Sequence, residues 1–245
     1  MPARRRSKRR LSGKVALVTG ASRGIGLAIA RALANEGCHL VLAGRTLSSL
    51  EKVARKLERH KIRVLAKLCD VRDPHAVRAL AASIKKQFPR VDILINNAGI
   101  AHPNLPVAEL PYHVWKSVVD TNLTGTFLVT REILPLMRRG STIVNNLSIA
   151  ATRVFEGSAA YNASKHGALG LTNTLREELR AKAIRVIALL PGATDTDIWD
   201  TLWPKAPRKK MMSAEAIAEA LMGALLLPDN STVEELTILP TGGAL

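Results

Sequence analysis

The stretch KVALVTGASRGIG, from Lys14 to Gly26, constrains this chain more than any other. An apolar, partly β-branched run leads into three glycines spaced G-x-x-x-G-x-G, and LAIARALA follows at helical spacing. A strand end, a tight turn and a helix start therefore coincide. Glycine lets the backbone turn sharply and approach a pyrophosphate closely, while the helix N-terminus offers free amides and a partial positive charge. Gly20, Ser22, Arg23, Gly24, Ile25 and Gly26 thus form a candidate anion seat for a dinucleotide.

The rest of the chain repeats that alternation. HLVLAGR, RVLAKLCDV, VDILINNAG, STIVNNLS, IRVIALLPG and TVEELTIL read as further strands. GLAIARALANEG, LSSLEKVARKLERH and PHAVRALAASIKKQF read as amphipathic helices, with one long helix from about Tyr112 to Met137 and another from about Tyr161. Short β-branched runs separated by helices need crossover connections that bury both sheet faces. The expected architecture is α/β, a doubly wound parallel sheet of Rossmann type, in a single domain over residues 11–245. No internal repeat or low-complexity linker marks a second domain.

The formal net charge is +16, and Arg4, Arg5, Arg6, Lys8, Arg9 and Arg10 supply six of those charges, so the body is basic as well. Such a balance favours anionic partners, among them a phosphorylated cofactor. Residues 1–10 read as a solvated, disordered basic arm. Nucleic acid is not expected as a partner, because aromatic residues are only 3% and no basic surface motif interleaves with them. MPARRRSKRR is not followed by the apolar segment of an export signal, and Glu215 and Glu219 interrupt the apolar run AEAIAEALMGALLLP. Cys38 and Cys69 suit buried reduced thiols better than a disulfide framework or a metal site. A cytoplasmic protein without membrane or metal partners is expected.

At the end of the second strand stands Arg45, after Ala43 and Gly44, where a carboxylate would accept the ribose hydroxyls of NAD. Arg45 with Arg23 can flank a 2′-phosphate with planar donor forks. NADP is therefore favoured over NAD. Further along, Tyr161 and Lys165 lie four residues apart at a helix start, on one face. Ser148 closes a strand thirteen residues earlier, where strand ends meet the ligand crevice. A phenol needs a shift of about three pKa units, or about 4 kcal/mol, to work near neutrality. A neighbouring ammonium and a nicotinamide cation could supply it.

TGASRGIG, the NNAG of Asn96 to Gly99, Ser148 with YNASK, and PGATDTD, taken in order, resemble the motifs of the short-chain dehydrogenases/reductases. The resemblance spans nearly everything from Leu11 onward. It implies that Tyr161 transfers the proton, that Lys165 lowers its pKa and binds the nicotinamide ribose, and that Ser148 orients the carbonyl. It implies too that Asn122 anchors a water of a proton relay. On the cofactor it implies Asp70 and Val71 at the adenine end, Asn97, Ala98 and Gly99 along the nucleotide, and Pro191, Gly192, Thr194 and Thr196 beside nicotinamide. Asn146 departs from the pattern, since an aliphatic residue is more usual there. Family members commonly pair through the helix containing Asn122 and the one following Tyr161, so a homotetramer or homodimer is implied.

The reaction implied is carbonyl and secondary alcohol interconversion on a small-molecule or carrier-bound substrate. General motif similarity suggests a 3-oxoacyl-carrier-protein reductase type. TVEELTILPTG looks more like the ending of 3-hydroxy-acid or amino-acid dehydrogenases, and a simple ketone or aldehyde reductase stays open. Trp199 and Trp203 could cover an apolar chain, while Lys205, Arg208, Lys209 and Lys210 could receive a carboxylate or carrier phosphate. The reading from another class is a non-catalytic nucleotide sensor or nucleic-acid-associated protein that kept the fold.

Overall fold

The computed structural model describes residues 9–243. Seven parallel strands form one sheet: β1 (Val15–Thr19), β2 (His39–Gly44), β3 (Val64–Leu68), β4 (Ile93–Asn96), β5 (Thr142–Asn146), β6 (Arg185–Pro191) and β7 (Glu235–Ile238). Their order across the sheet is β3-β2-β1-β4-β5-β6-β7. The chain winds outward to β3 and then crosses back to lay β4 beside β1, pairing Ala16 with Ile93 and Val18 with Ile95. At that reversal the connections leaving β1 and β4 part towards opposite faces, which opens a crevice beyond their C-terminal ends.

The helices are α1 (Gly24–Asn35), α2 (Leu47–Glu58), α3 (Pro74–Gln87), α4 (Tyr112–Val119), α5 (Gly125–Ile133), α6 (Ala159–Arg180), α7 (Trp199–Leu202) and α8 (Ala214–Leu225). Alternation along each strand divides the core in two. Ala16, Val18, Leu40, Leu42, Ile93 and Ile95 pack with Ile29 and Leu33 of α1, Leu50 of α2, and Ile217 and Leu221 of α8. Val15, Leu17, Val41, Leu94 and Ile143 pack with Leu80 and Ile84 of α3, Ile133 of α5 and Leu179 of α6. Both faces are dry over the central strands β2, β1, β4, β5 and β6, which is why these read as nearly continuous apolar runs.

Three local features differ from the expectation. The single helix over Tyr112 to Met137 is broken by a π turn at Asp120–Thr124 and ends in a 3-10 turn at Leu134–Leu136. The Gly125 amide reaches back to Asp120 O, one residue further than an α-helix would. A Cβ on Gly125 would lie 2.7 Å from Val71 Cγ2, so tertiary packing sets the position of that turn. Helix α8 was legible only as an apolar run, because alanine and glycine share its exposed face with Glu215 and Glu219 and blur the contrast with the buried one; Ser213 caps it by accepting from the Ala216 amide at 3.1 Å. The basic arm lies outside the described residues as far as residue 8. Arg9 donates to His60 O at 2.8 Å, and Arg10 donates to Leu226 O at 2.5 Å and, through its amide, to Glu36 Oε2 at 3.0 Å.

Cys38 and Cys69 are free and buried, and burial pushes their thiols up to about 12 and about 11 respectively. Such thiols stay protonated and inert. No described helix is long and apolar enough to cross a membrane, and no cluster of metal-binding side chains occurs among the described residues.

A buried polar chain fastens helices to the middle of the sheet. Asn96 Nδ2 donates to Thr130 Oγ1 of α5 at 2.8 Å and to Asn145 Oδ1 at 2.9 Å. Asn145 Nδ2 donates to Thr172 Oγ1 of α6 at 2.8 Å, and that hydroxyl donates to Ala168 O at 2.6 Å. Asn145 is wholly buried, so truncating it leaves partners on two elements without water to replace it. Asn145→Ala should lower unfolding free energy by about 2–4 kcal/mol, seen as an earlier urea midpoint with an unchanged slope. A loss below about 0.5 kcal/mol would mean the chain carries no net stability.

Candidate active site

The crevice at the strand reversal holds a cleft of about 950 Å³. One end is built by the glycine turn. Gly20 and Gly24 have φ of +65° and +55°, a region that side chains other than glycine rarely adopt. A Cβ on Gly20 would sit 3.0 Å from Ala98 Cα, so the turn lies directly on the end of β4. Helix α1 begins there with Arg23 as its N-cap and no side-chain hydrogen bond to its first amides. Those amides are left for a ligand beside Ser22, Arg23, Gly24 and Ile25, all of which border the cleft.

Gly26 does not border the cleft. A Cβ there would strike Asn97 Nδ2 and lie 2.5 Å from Gly20 O, so this glycine serves close packing of helix on turn. Arg45 borders the cleft just beyond β2 and makes no ion pair among the described residues. Arg23 instead reaches across the mouth to Asp197, Nη1 to Oδ2 at 2.9 Å. Asp70 and Val71 border the same end. Asp70 is gripped by Arg72, whose hydrogen bonds at 2.6–3.1 Å hold its carboxyl below the usual carboxylate range.

Asn97, Ala98 and Gly99 continue the wall from β4, with Pro191, Gly192, Thr194 and Thr196 opposite them from β6. Asn97 Nδ2 donates to Thr19 O at 2.9 Å and to Gly20 O at 3.2 Å. With its amide nitrogen fixed by two carbonyls, its Oδ1 must accept, and it does so from Asn146 Nδ2 at 2.8 Å. Asn146 therefore reaches the cleft wall, with its own Oδ1 buried and unpartnered. Its main-chain oxygen accepts from Lys165 Nζ at 3.1 Å.

Ser148, Tyr161 and Lys165 meet at the centre of the cleft. Helix α6 begins at Ala159, so Tyr161 and Lys165 are one turn apart on the same face, with Nζ 5.5 Å from the Tyr161 ring centre. Burial raises the Tyr161 phenol, and a hydrogen bond with Ser148 opposes that rise. Burial lowers Lys165 to about 8. Asn122 stands behind this group rather than in the cleft wall. Its side chain donates to Ile100 O at 2.9 Å and Ser164 Oγ at 3.0 Å, and accepts from the Ile100 amide at 2.9 Å. Its main-chain oxygen accepts from Thr126 Oγ1 at 2.9 Å.

Beyond Tyr161 the cleft continues between the turn after β5, with Phe155 and Glu156, and the segment after β6, with Ile198, Trp199, Leu202 and Trp203. The two tryptophans border it as the sequence suggested; the basic cluster does not. Arg208 is spent on Asp195 at 2.7 Å, Asp200 at 2.6 Å and Thr196 O at 2.7 Å, and Lys205, Lys209 and Lys210 lie outside the wall. Glu156, the Arg23–Asp197 pair and the Lys165–Asn146 contact are missing from the sequence reading, since each depends on contacts between segments far apart in the chain.

A family model described as short chain dehydrogenase matches residues 14–207. An uncharacterized oxidoreductase of Staphylococcus saprophyticus is 37% identical, over 94% of this chain and 98% of its own length. A putative ketoacyl reductase of Streptomyces coelicolor is 34% identical, over 94% of this chain and 96% of its own. Among solved structures, an alcohol dehydrogenase from the archaeon Thermococcus sibiricus complexed with 5-hydroxy-NADP is similar with a TM-score of 0.87. It is 31% identical, and the match covers 93% of this chain and 97% of that one.

Lys165 makes the site costly. Because its folded value is about 8 against an ordinary 10.5, the folded chain gives up this proton before the unfolded chain does. The penalty of the buried ammonium is present in full below about pH 8, and stability rises as pH climbs from there towards 10.5. Lys165→Met should raise unfolding free energy at pH 7 by about 1–3 kcal/mol and remove this residue's part of the alkaline rise. Urea unfolding at pH 7 and pH 10 measures both, and a lower midpoint for the variant at pH 7 would contradict the account.

Proposed function

The chain belongs to the short-chain dehydrogenase family, and we propose that it is an NADP-dependent oxidoreductase interconverting a carbonyl and a secondary alcohol. The observation that carries this reading is the convergence in one cleft of an uncapped helix N-terminus on a glycine turn with Ser148, Tyr161 and Lys165. The cofactor fits the residues present: free α1 amides suit a pyrophosphate, and the unpaired guanidinium of Arg45 suits a 2′-phosphate. The NADP derivative bound by the archaeal relative agrees with that choice. When bound, the nicotinamide exchanges a hydride with the substrate carbon.

The chain's own residues manage the oxygen. The Ser148 hydroxyl holds it, and the Tyr161 phenol donates a proton to it in reduction or withdraws one in oxidation. Lys165 stabilises the phenolate left behind and, from its place beside Asn146, holds the ribose. Asn122 fixes the Ile100 backbone behind them, and its carbonyl is the candidate anchor for a relay water. With burial holding the phenol protonated, the resting site is poised to donate. Reduction should therefore fade as pH rises through the phenol's value in the complex, while oxidation should gain.

The substrate is proposed to be a 3-oxo or 3-hydroxy acyl compound or acid, which the putative ketoacyl reductase among its relatives supports. A general ketone or aldehyde reductase is favoured instead by the apolar wall beyond Tyr161. Exposed Tyr112 and Trp115 on α4 and Phe127 on α5 support assembly as a homotetramer or homodimer, and two inert thiols suit the cytoplasm.

Two measurements test the core of this reading. Tyr161→Phe should cut kcat/KM for carbonyl reduction about a thousandfold while NADPH still binds, because only the transferred proton is lost. Reduction at the wild-type rate would remove Tyr161 from the chemistry. Arg45→Ala should raise KM for NADPH about tenfold or more with little effect on NADH; an equal effect on both would show that Arg45 does not meet the 2′-phosphate.

A further inference from the structure

The part of the cleft beyond Tyr161 is unequal in its chemistry. Phe155, Ile198, Trp199, Leu202 and Trp203 present carbon to it. The two indoles are tilted at 59° with centres 6.5 Å apart. Trp199 spends its single N–H on Thr194 O at 2.9 Å and so offers no donor from its ring. The cations of the same segment are turned to other work or lie outside the wall. Arg23 is held by Asp197 at 2.9 Å, Arg45 borders the glycine-turn end, and Lys165 lies beside Tyr161.

Two carboxylates border this arm: Asp197 is paired with Arg23 at 2.9 Å, whereas Glu156 has no ion-pair partner among the described residues. Its turn is pinned from both sides. Asn162 Nδ2 donates to Phe155 O at 2.8 Å, the Leu105 amide donates to Gly157 O at 2.9 Å, and Ser158 Oγ donates to Asn104 Oδ1 at 2.9 Å. Gly157 has φ of +73°, and a Cβ there would stand 3.0 Å from Asn104 Cβ. The backbone at Glu156 is therefore fixed beside the arm, and its exposed side chain stands at the arm's mouth.

Resting on the proposed carbonyl–alcohol reaction, we infer that this arm takes the uncharged apolar portion of an ester, thioester or simple ketone, and that Glu156 discriminates against free carboxylates. The tryptophans cover the apolar portion, while a carboxylate entering beside Glu156 meets a like charge, and the nearby Arg23 is already paired with Asp197. The choice narrows the substrate from acids and acyl compounds alike to compounds whose carboxyl is masked.

The test compares ethyl acetoacetate with acetoacetate, by NADPH oxidation and by quenching of tryptophan fluorescence in Tyr161→Phe protein saturated with NADP. Wild-type enzyme should favour the ester at least about tenfold in kcat/KM, and the ester should quench at the lower concentration. Glu156→Lys should shrink the ester-to-acid ratio about tenfold, and Glu156→Gln should shrink it partway. An acid preference in the wild type, or the same ratio in Glu156→Lys, overturns the inference. Ester-selective quenching without turnover of either compound supports the inference and counts instead against the proposed reaction, whereas turnover favouring the acid leaves the reaction standing and removes the inference.

Discussion

The site depends on one side chain placed where the sheet reverses direction. Asn97 ties the end of β1 to the end of β4 by donating to Thr19 O and Gly20 O, and it receives Asn146 from the end of β5. Three neighbouring strand ends are thereby fixed relative to one another. The glycine turn can lie against β4 only because positions 20 and 26 carry no Cβ, and α1 then starts with its amides facing the crevice. Without that closeness the phosphate end and the catalytic end would not belong to one cleft. The same link orients Asn146, whose carbonyl receives Lys165, so the ammonium is located from the sheet as well as from its own helix.

That placement sets stability against chemistry. Lys165 is buried with a single hydrogen-bond partner, and Tyr161 is half-buried beside it. Each is less comfortable in its charged form than it would be in water. A lysine near 8 is nevertheless charged at neutral pH, which is what a phenolate needs in a neighbour. The surrounding fold supplies the compensation. Two dry faces of the sheet and the chain from Thr130 through Asn96 and Asn145 to Thr172 hold the helices that carry the strained groups.

Local features were legible in the chain, and features made by distant contact were not. The strands announced themselves as apolar runs, and Gly20 and Gly24 by their position between a strand and a helix, because these follow from neighbours in sequence. Tyr161 and Lys165 share a helix face by spacing alone. The break at Asp120–Thr124 had no such signature, since it is set by Gly125 packing on Val71 from another segment. Helix α8 hid for another reason, since alanine and glycine on its exposed face weaken the contrast that Glu215 and Glu219 alone provide. The basic residues after Trp203 illustrate the limit of charge counting: Arg208 looks free in the sequence and is saturated in the fold by Asp195, Asp200 and Thr196 O.

The net charge of +16 consequently says little about what the cleft selects, because its sign changes along its length. Arg23, Arg45 and the α1 amides make one end positive, whereas the other carries Glu156 among tryptophans and aliphatic side chains. A ligand with phosphates at one extremity has only one favourable orientation in such a field. Arg23 adds a condition of its own. Paired with Asp197, it joins the glycine turn to the segment that carries Trp199 and Trp203. The two ends of the cleft are thus bridged by one exposed ion pair. Exposed pairs are worth only about 0–1 kcal/mol, a strength that holds the segment without making its release slow.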